Sequence, residues 1–169
     1  PSYHFNDRIF NMSGIELTSL QDIEIPQNIE ELILSDNQIT NLSGIIFPPN
    51  LKKLDLFNNN ITDLDGVIFP PNLKDLNLDN NNITNLNGVI FSDNLEILNL
   101  YGNQIVNLSG IRFPLNLKIL NLDENLINNL NNVIFPNNLE GLFLEHNDIV
   151  NLYGATFPQN LKELKLSSN

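Results

Sequence analysis

The sequence combines a length of 169 residues with a formal net charge of −12 and no cysteine. This length suits one domain, and an apolar fraction of 41% is enough for one continuous core. An acidic chain is a poor match for nucleic acid or for an anionic membrane, because both bind basic surfaces. The lack of cysteine favours an intracellular location, and the sequence shows neither a signal peptide nor a membrane-spanning segment.

A unit of 22 residues recurs along the chain from Ile25 onwards. It follows the rule F-P-x-N-L-x-x-L-x-L-x-x-N-x-I-x-x-L-x-G-V-I. A unit this short cannot bury its own apolar face and must stack on its neighbours. We therefore predict a single repeat domain over 1–169, with six complete repeats in 25–156 and a truncated seventh repeat in 157–169.

Residues 1–24 form a degenerate coil ahead of the array. Phe10 stands 22 residues before Leu32, a leucine of the first complete repeat. Terminal repeats are often atypical because one of their sides meets water. We expect this segment to cap the core, with Tyr3 and Phe5 folding over its end.

Each unit contains an L-x-L segment, such as Leu54-Asp55-Leu56, in which leucines alternate with residues that face the other way. This period of two is typical of a short strand with one buried face. Identical strands that each return from the same side of the coil pair in parallel. The sequence therefore predicts one parallel sheet of about seven to eight strands, with one strand per coil.

Two asparagines recur in each unit, one after the strand and one before it. A short amide can hydrogen-bond the backbone of its turn and of the adjacent coil, and buried backbone groups need such partners. We predict two asparagine ladders at opposite corners of the coil. The post-strand ladder comprises Asn37, Asn59, Asn81, Asn103, Asn125, Asn147 and Asn169. The pre-strand ladder comprises Asn28, Asn50, Asn72, Asn94, Asn116, Asn138 and Asn160.

One glycine position also recurs, and the sixth coil has Asn132 there. Asparagine is the residue that best replaces glycine at positive φ, so the position is predicted to be a left-handed turn. Only about ten residues separate the post-strand ladder from Phe-Pro, whose proline restricts the backbone to extended geometry. That stretch is too short for a good α-helix. We expect turns or 3₁₀ segments, with the phenylalanines stacked along the back of the core.

The segment Leu51-x-x-Leu54-x-Leu56-x-x-Asn59-x-Ile61 resembles the leucine-rich repeat signature, which occurs seven times. The resemblance implies an α/β-type solenoid, a right-handed superhelix with its parallel sheet on the concave side. The first half of the unit is similar to FNIP-type repeats, and the second half is closer to SDS22 and internalin types. Extracellular members of the family usually close their ends with disulfide caps, which this cysteine-free chain does not have.

Positions that recur are assigned to the core, so functional information lies where the repeat varies. Ile97, Tyr101, Ile119 and Phe143 flank the strand leucines of three adjacent coils and span roughly 15 Å. Acidic residues border them, which gives the usual anatomy of a protein interface. The alternative is a scatter of apolar residues on a large sheet. The predicted partner-binding residues are Phe57, Ile97, Tyr101, Ile119, Phe143, Asp79, Asp123 and Glu145.

No catalytic constellation accompanies this face. His4 and His146 lie in the N-terminal segment and in a turn, and no P-loop or dinucleotide fingerprint occurs. Acidic residues such as Asp79 and Asp123 fall in variable surface columns, which favours a solvated acidic face over a calcium site or paired catalytic acids. We therefore expect no catalytic residue, no metal and no cofactor.

Three functions stay open. The first is a non-catalytic protein–protein interaction module that binds a basic or apolar protein on its concave face, without nucleic acid or membrane. The second is a self-associating subunit, such as a homodimer, that pairs through the C-terminal strand edge or the apolar residues. The third is the substrate-recognition part of a larger enzyme such as a ubiquitin ligase. The first is favoured, because leucine-rich repeats mostly work in this way.

Overall fold

The computed structural model describes residues 4–5 and 8–169, with side chains from residue 8 onwards. Each predicted L-x-L segment overlaps a strand of three residues that begins one residue before its first leucine, and all strands join one sheet in chain order. The strands are β1 (His4–Phe5), β2 (Ile9–Asn11), β3 (Glu31–Ile33), β4 (Lys53–Asp55), β5 (Asp75–Asn77), β6 (Ile97–Asn99), β7 (Ile119–Asn121), β8 (Gly141–Phe143) and β9 (Glu163–Lys165). The described part of the chain contains no helix that could cross a membrane.

Strands β2 to β9 are parallel and pair in register, so that each strand leucine lies opposite the leucine of the next coil. Leu54 of β4, for example, pairs with Leu76 of β5. This arrangement confirms the predicted parallel sheet. Strand β1 adds an antiparallel partner to β2, which the repeat pattern did not predict.

The core is a stack of apolar layers, one per coil. In the coil of β4, the buried layer includes Leu54, Leu56, Ile61 and Phe69. Each layer covers the next, and full burial of one such side chain stabilises the fold by about 1.5–3 kcal/mol. In β9, Leu164 is 38% exposed, because no further layer covers it among the described residues.

The post-strand ladder is buried and joins consecutive coils. The Asn59 side-chain amide donates to the carbonyls of Leu34 (3.0 Å) and Leu56 (3.2 Å), and its Oδ1 accepts the Ile39 N–H (3.0 Å). The Leu56 carbonyl also accepts a bond from the Asn81 amide at 3.0 Å. The six ladder asparagines from Asn37 to Asn147 are only 4–8% exposed. The predicted role of this ladder is confirmed, since each amide satisfies backbone groups that water cannot reach.

The pre-strand ladder also spans adjacent coils, but it lies on the surface. The Asn94 amide donates to the Pro71 carbonyl (2.8 Å), and the Asn116 amide donates to the Asp93 carbonyl (2.9 Å). The prediction is therefore confirmed for the later coils. The asparagines that make this bond are Asn72, Asn94, Asn116, Asn138 and Asn160.

Two columns of left-handed residues turn each coil. The predicted column has φ of 69–77° at Gly44, Gly66, Gly88, Gly110 and Gly154, and Asn132 adopts the same region at 58°. This confirms that asparagine replaces glycine there. A second column follows the strand at φ of 53–66° and comprises Gly14, Asp36, Asn58, Asn80, Gly102, Glu124, His146 and Ser168. The sequence did not predict the second column, because only two of its members are glycine.

The back of the solenoid is wider than the sheet. Ring centroids of stacked phenylalanines are 5.9 Å apart for Phe69 and Phe91, and 6.3 Å apart for Phe135 and Phe157. Paired strands lie about 4.8 Å apart. Each coil is therefore a wedge, and the sheet lies on the concave side. Among the described residues the back consists of turns and extended segments without a 3₁₀ helix, and the predicted stacking of phenylalanines is confirmed for these pairs.

The N-terminal segment continues the array at its first coil. Phe10 is buried and pairs in register with Leu32. This coil has no ladder asparagine of its own, but it joins the ladder through the next coil: its Leu17 N–H bonds to Asn37 Oδ1 at 2.9 Å, as the Ile39 N–H bonds to Asn59. Tyr3 and the side chain of Phe5, which we expected to cover this end, lie outside the described residues.

Candidate functional site on the concave face

The eight predicted partner-binding residues all lie on the outer face of the sheet or at its post-strand edge. Each is half-buried, because neighbouring side chains crowd one another on a concave surface. In β6 and β7, Ile97 and Ile119 are register partners in adjacent strands, so their side chains are direct neighbours. In β8, the residue opposite Ile119 is Gly141, which has no side chain.

The space above Gly141 is filled by its neighbours. A Cβ atom at Gly141 would lie 2.9 Å from Ile119 Cδ1 and 3.1 Å from Phe143 Cε2. Both side chains therefore lean over the glycine and approach each other. Because these side chains approach each other, one continuous surface is formed by Ile97, Ile119, Gly141 and Phe143. We call this surface the apolar patch.

A cation covers part of the apolar patch. Lys165 Nζ of β9 lies 5.4 Å from the centroid of the Phe143 ring, in cation–π range. Lys165 also forms an ion pair with Glu163 at 3.4 Å. The sequence did not single out Gly141 or Lys165, since each is an ordinary member of a variable column.

Tyr101 lies apart from the apolar patch. It follows Ile97 by four positions along an extended chain, which is about 13 Å. The half-buried Asn99 occupies the sheet face between them. A hydrogen bond to the Glu124 side chain raises the pKa of Tyr101, so its hydroxyl is directed towards the post-strand edge. Phe57 lies two strands further away at the same edge. Of the five predicted apolar residues, the structure thus brings together the three in the apolar patch. It places the other two, Tyr101 and Phe57, at the post-strand edge.

Two of the predicted acidic residues also brace the coils. Asp79 Oδ1 accepts the backbone N–H of Tyr101 in the next coil at 2.8 Å. Asp123 Oδ1 accepts the backbone N–H of Glu145 in the same way at 2.7 Å. The sequence signal was available, since both aspartates follow an asparagine two residues earlier, as in Asn77-Leu-Asp79, where the asparagine Oδ1 caps the aspartate N–H.

Burial changes the ionisation of these carboxylates. Loss of solvent raises the pKa of Asp79 to about 6, although the bond from the Tyr101 N–H favours the charged form. Burial also raises the pKa of Asp123 and of Asp75. The acidic edge of the concave face therefore takes up protons more readily than a solvated carboxylate does.

No cluster of three or more histidine, aspartate or glutamate side chains suited to a metal ion occurs in the part of the chain that the structure describes. The three predicted acidic residues Asp79, Asp123 and Glu145 instead lie in different coils along the post-strand edge. Chemically, the concave face offers an apolar contact area, one cation and a row of carboxylates. Such groups can recognise a protein surface.

The structure also places a recurring apolar position at the surface. Ile46, Ile68, Ile90 and Ile134 precede the buried phenylalanine of their coils and are 78–82% exposed. Our assignment of recurring positions to the core is wrong for this column. The extended backbone before Phe-Pro alternates in direction, so the residue before the phenylalanine points outwards.

The parallel sheet, the wedge-shaped coils and the buried asparagine ladder together define a leucine-rich repeat solenoid. The sequence matches the family model described as Leucine Rich repeats (2 copies) over residues 27–68 and 49–90. The chain is a leucine-rich repeat protein. No curated protein sequence matches it significantly.

Solved structures with the same fold include several bacterial proteins. The leucine-rich repeat domain of a Shigella effector is 31% identical with a TM-score of 0.70, covering 87% of this chain and 61% of that one. Internalin C2 from Listeria monocytogenes is 24% identical with a TM-score of 0.68, covering 92% and 79%. YopM from Yersinia enterocolitica is 24% identical with a TM-score of 0.61, covering 85% and 34%. The chain thus spans about a third of YopM and about three fifths of the Shigella domain.

Proposed function

We propose that this protein is a non-catalytic scaffold that binds another protein on the concave face of its sheet. Leucine-rich repeat proteins are generally protein-interaction modules. The single observation that carries the proposal is the apolar patch, in which Ile97, Ile119 and Phe143 form a continuous half-exposed surface around Gly141.

The surroundings of the patch define the chemistry of the partner. Asp79, Asp123 and Glu145 follow the post-strand edge, and Tyr101 lies between the coils of the two aspartates. A partner with an apolar centre and basic residues on the side facing this edge would match both parts. Lys165 above the Phe143 ring would in turn accept one acidic group from the partner.

The scaffold is suited to such a role because its side chains are held in fixed positions. The post-strand ladder ties each coil to the next, and all buried side-chain polar atoms among the described residues have hydrogen-bond partners. A rigid surface loses little conformational entropy when it binds.

The test uses wild-type protein and two variants as immobilised baits, with bound proteins quantified by mass spectrometry. The variant Ile119→Asp/Phe143→Asp places charge in the apolar patch. The control Val150→Asp changes a residue that is 83% exposed and lies off the concave face. We expect at least one partner to be lost about tenfold or more with the patch variant and kept with the control. Equal retention by all folded baits would contradict the proposal.

Self-association is the second candidate, and the outer edge of β9 favours it. Among the described residues, β9 pairs only with β8, so its outer backbone groups are available to another strand. A dimer that persists in the Ile119→Asp/Phe143→Asp variant would support this edge as the contact. The intracellular location expected from the cysteine-free sequence stays a prediction, which cell fractionation would test.

A further inference from the structure

A second apolar surface runs along the convex side of the solenoid. It consists of Ile46, Ile68, Ile90, Arg112 and Ile134, which occupy one position in five consecutive coils, together with Leu115 beside Arg112; we call it the convex stripe. Leu115 is 74% exposed. An isoleucine or leucine side chain has roughly 100 Å² of apolar surface, so these five, at 74–82% exposure, present roughly 400 Å² to solvent. Patches of this size are among the largest on soluble monomers and are often functional.

The convex stripe is a row of ridges and hollows rather than a flat surface. One hollow is lined by Ile68, Phe69, Pro71 and Ile90. The next is lined by Ile90, Arg112, Phe113 and Leu115. A third is lined by Arg112, Leu115, Ile134 and Pro136. The hollows therefore repeat once per coil.

The period of this row matches an α-helix. Phenylalanine rings directly beneath the stripe stack at 5.9–6.3 Å per coil. Residues i and i+4 of an α-helix are about 6 Å apart along its axis. Residues i, i+4, i+8 and i+12 form one ridge that is inclined about 26° to the helix axis. A helix that crosses the solenoid axis at this angle would thus place one ridge residue over each of four successive coils, with apolar residues at i, i+4 and i+12 and residue i+8 opposite Arg112. A β-strand in this direction would cross the coil backbones and could not pair with them.

The charge of Arg112 sets a second requirement for the partner helix. Every lysine or arginine except Arg112 lies in a strand or directly before one. Arg112 instead lies in the middle of the convex stripe, is exposed, and forms no ion pair with any residue that the structure describes. A carboxylate on the partner helix at the position opposite Arg112 would pair with it.

We propose that the convex stripe is a docking surface for an amphipathic α-helix of another protein, apolar along one side and acidic opposite Arg112. A second copy of the chain is a poor occupant, since the described residues contain no helix and two convex surfaces touch over a small area. The proposal is independent of the concave binding surface, because no residue belongs to both.

The test uses a fluorescein-labelled synthetic helical peptide with leucine at i, i+4 and i+12 and glutamate at i+8. Its binding to the full chain is followed by fluorescence anisotropy. We expect the variant Ile68→Asp/Ile90→Asp/Ile134→Asp to bind about tenfold or more weakly, and Val150→Asp to bind as wild type. The exposed positions of the substituted residues leave the core intact, which the unfolding midpoint checks.

Charge reversal tests the register of the helix. Arg112→Glu is expected to weaken binding about fivefold, and a peptide with lysine at i+8 is expected to restore it. Ile119→Asp/Phe143→Asp, which tests the concave proposal, is expected to bind the peptide as wild type does.

Three outcomes would overturn the proposal. The first is no peptide binding by wild-type protein. The second is equal weakening by Val150→Asp. The third is a concentration-dependent dimer, or binding to phosphatidylcholine vesicles, that the stripe variant abolishes while peptide binding is unaffected.

Discussion

The two asparagine ladders use the same residue at the same spacing, yet they differ in what they do for the fold. In the post-strand ladder Asn103 is buried and makes three bonds to the backbone of two coils. In the pre-strand ladder Asn116 is exposed and makes one bond to the preceding coil. Water can replace a lost bond at the surface but not in the interior. Burial, rather than recurrence, therefore decides how much each ladder stabilises the solenoid.

The largest expected effect is at the buried ladder. Asn103→Ala leaves the N–H of Ile83 without its acceptor, while the carbonyls of Leu78 and Leu100 each keep a bond from a neighbouring asparagine. We expect the free energy of unfolding to fall by about 2–4 kcal/mol, measured by urea denaturation. A loss below 0.5 kcal/mol would show that the ladder is dispensable.

The glycine column tests a different use of asparagine, which is conformational. Gly110 has φ of 77° and no atom within 4 Å of an added Cβ, so a substitution there reports backbone strain alone. We expect Gly110→Ala to destabilise by about 1–2 kcal/mol and Gly110→Asn by less, because asparagine tolerates the left-handed region. Denaturation of the two variants side by side measures the difference, and equal losses would contradict the role assigned to Asn132.

Asp79 is intermediate between the two ladders in burial, and like their asparagines it bonds to an adjacent coil, in this case the following one. Its folded pKa of about 6 is above its ordinary value of 3.8, so the folded state binds the proton more tightly. The resulting stabilisation is present below the ordinary value and is lost as pH rises through 6. We expect wild-type protein to be more stable at pH 5 than at pH 7, by on the order of 1 kcal/mol after allowance for solvent screening.

The variant Asp79→Asn removes this proton uptake and keeps an oxygen for the Tyr101 N–H. Its stability is expected to change less between pH 5 and pH 7. Asp148→Asn, which removes an exposed negative charge instead, serves as the matched control and should keep the wild-type dependence. If all three proteins respond to pH alike in thermal unfolding, Asp79 does not carry the effect.

The smallest effect is expected at the exposed ladder. Asn116→Ala should change the free energy of unfolding by about 0.5 kcal/mol or less, because water satisfies the released Asp93 carbonyl. Measured beside Asn103→Ala, this variant gives the ratio of the stability losses at the two ladders. Similar losses in both variants would mean that burial does not set the difference.

Periodic features were predictable from the sequence because one solution repeats in every coil. Alternating leucines such as Leu54 and Leu56 determine the strand, and Asn132 in a glycine column reveals its positive φ. Which way a recurring side chain points was harder to predict than the length of the repeat. Ile90 belongs to a column that is isoleucine in four coils, but the backbone before Phe-Pro turns these side chains outwards.

The candidate site was predictable only in part. Ile97, Ile119 and Phe143 were placed correctly on one face, since strand periodicity sets which residues share it. Their contact depends on Gly141, whose missing side chain lets its neighbours lean together. Tyr101 lies along the same strand direction, and its bond to Glu124 crosses between coils, which spacing alone does not indicate.

The central claim is that the concave apolar patch is free to bind a foreign protein. The most direct measurement is the solution mass by light scattering over a range of concentrations, for wild-type protein and for Ile119→Asp/Phe143→Asp. We predict a monomer for both at every concentration. A stable wild-type dimer that the patch variant converts to a monomer would contradict the claim, because the patch would then be occupied by a second copy of the chain.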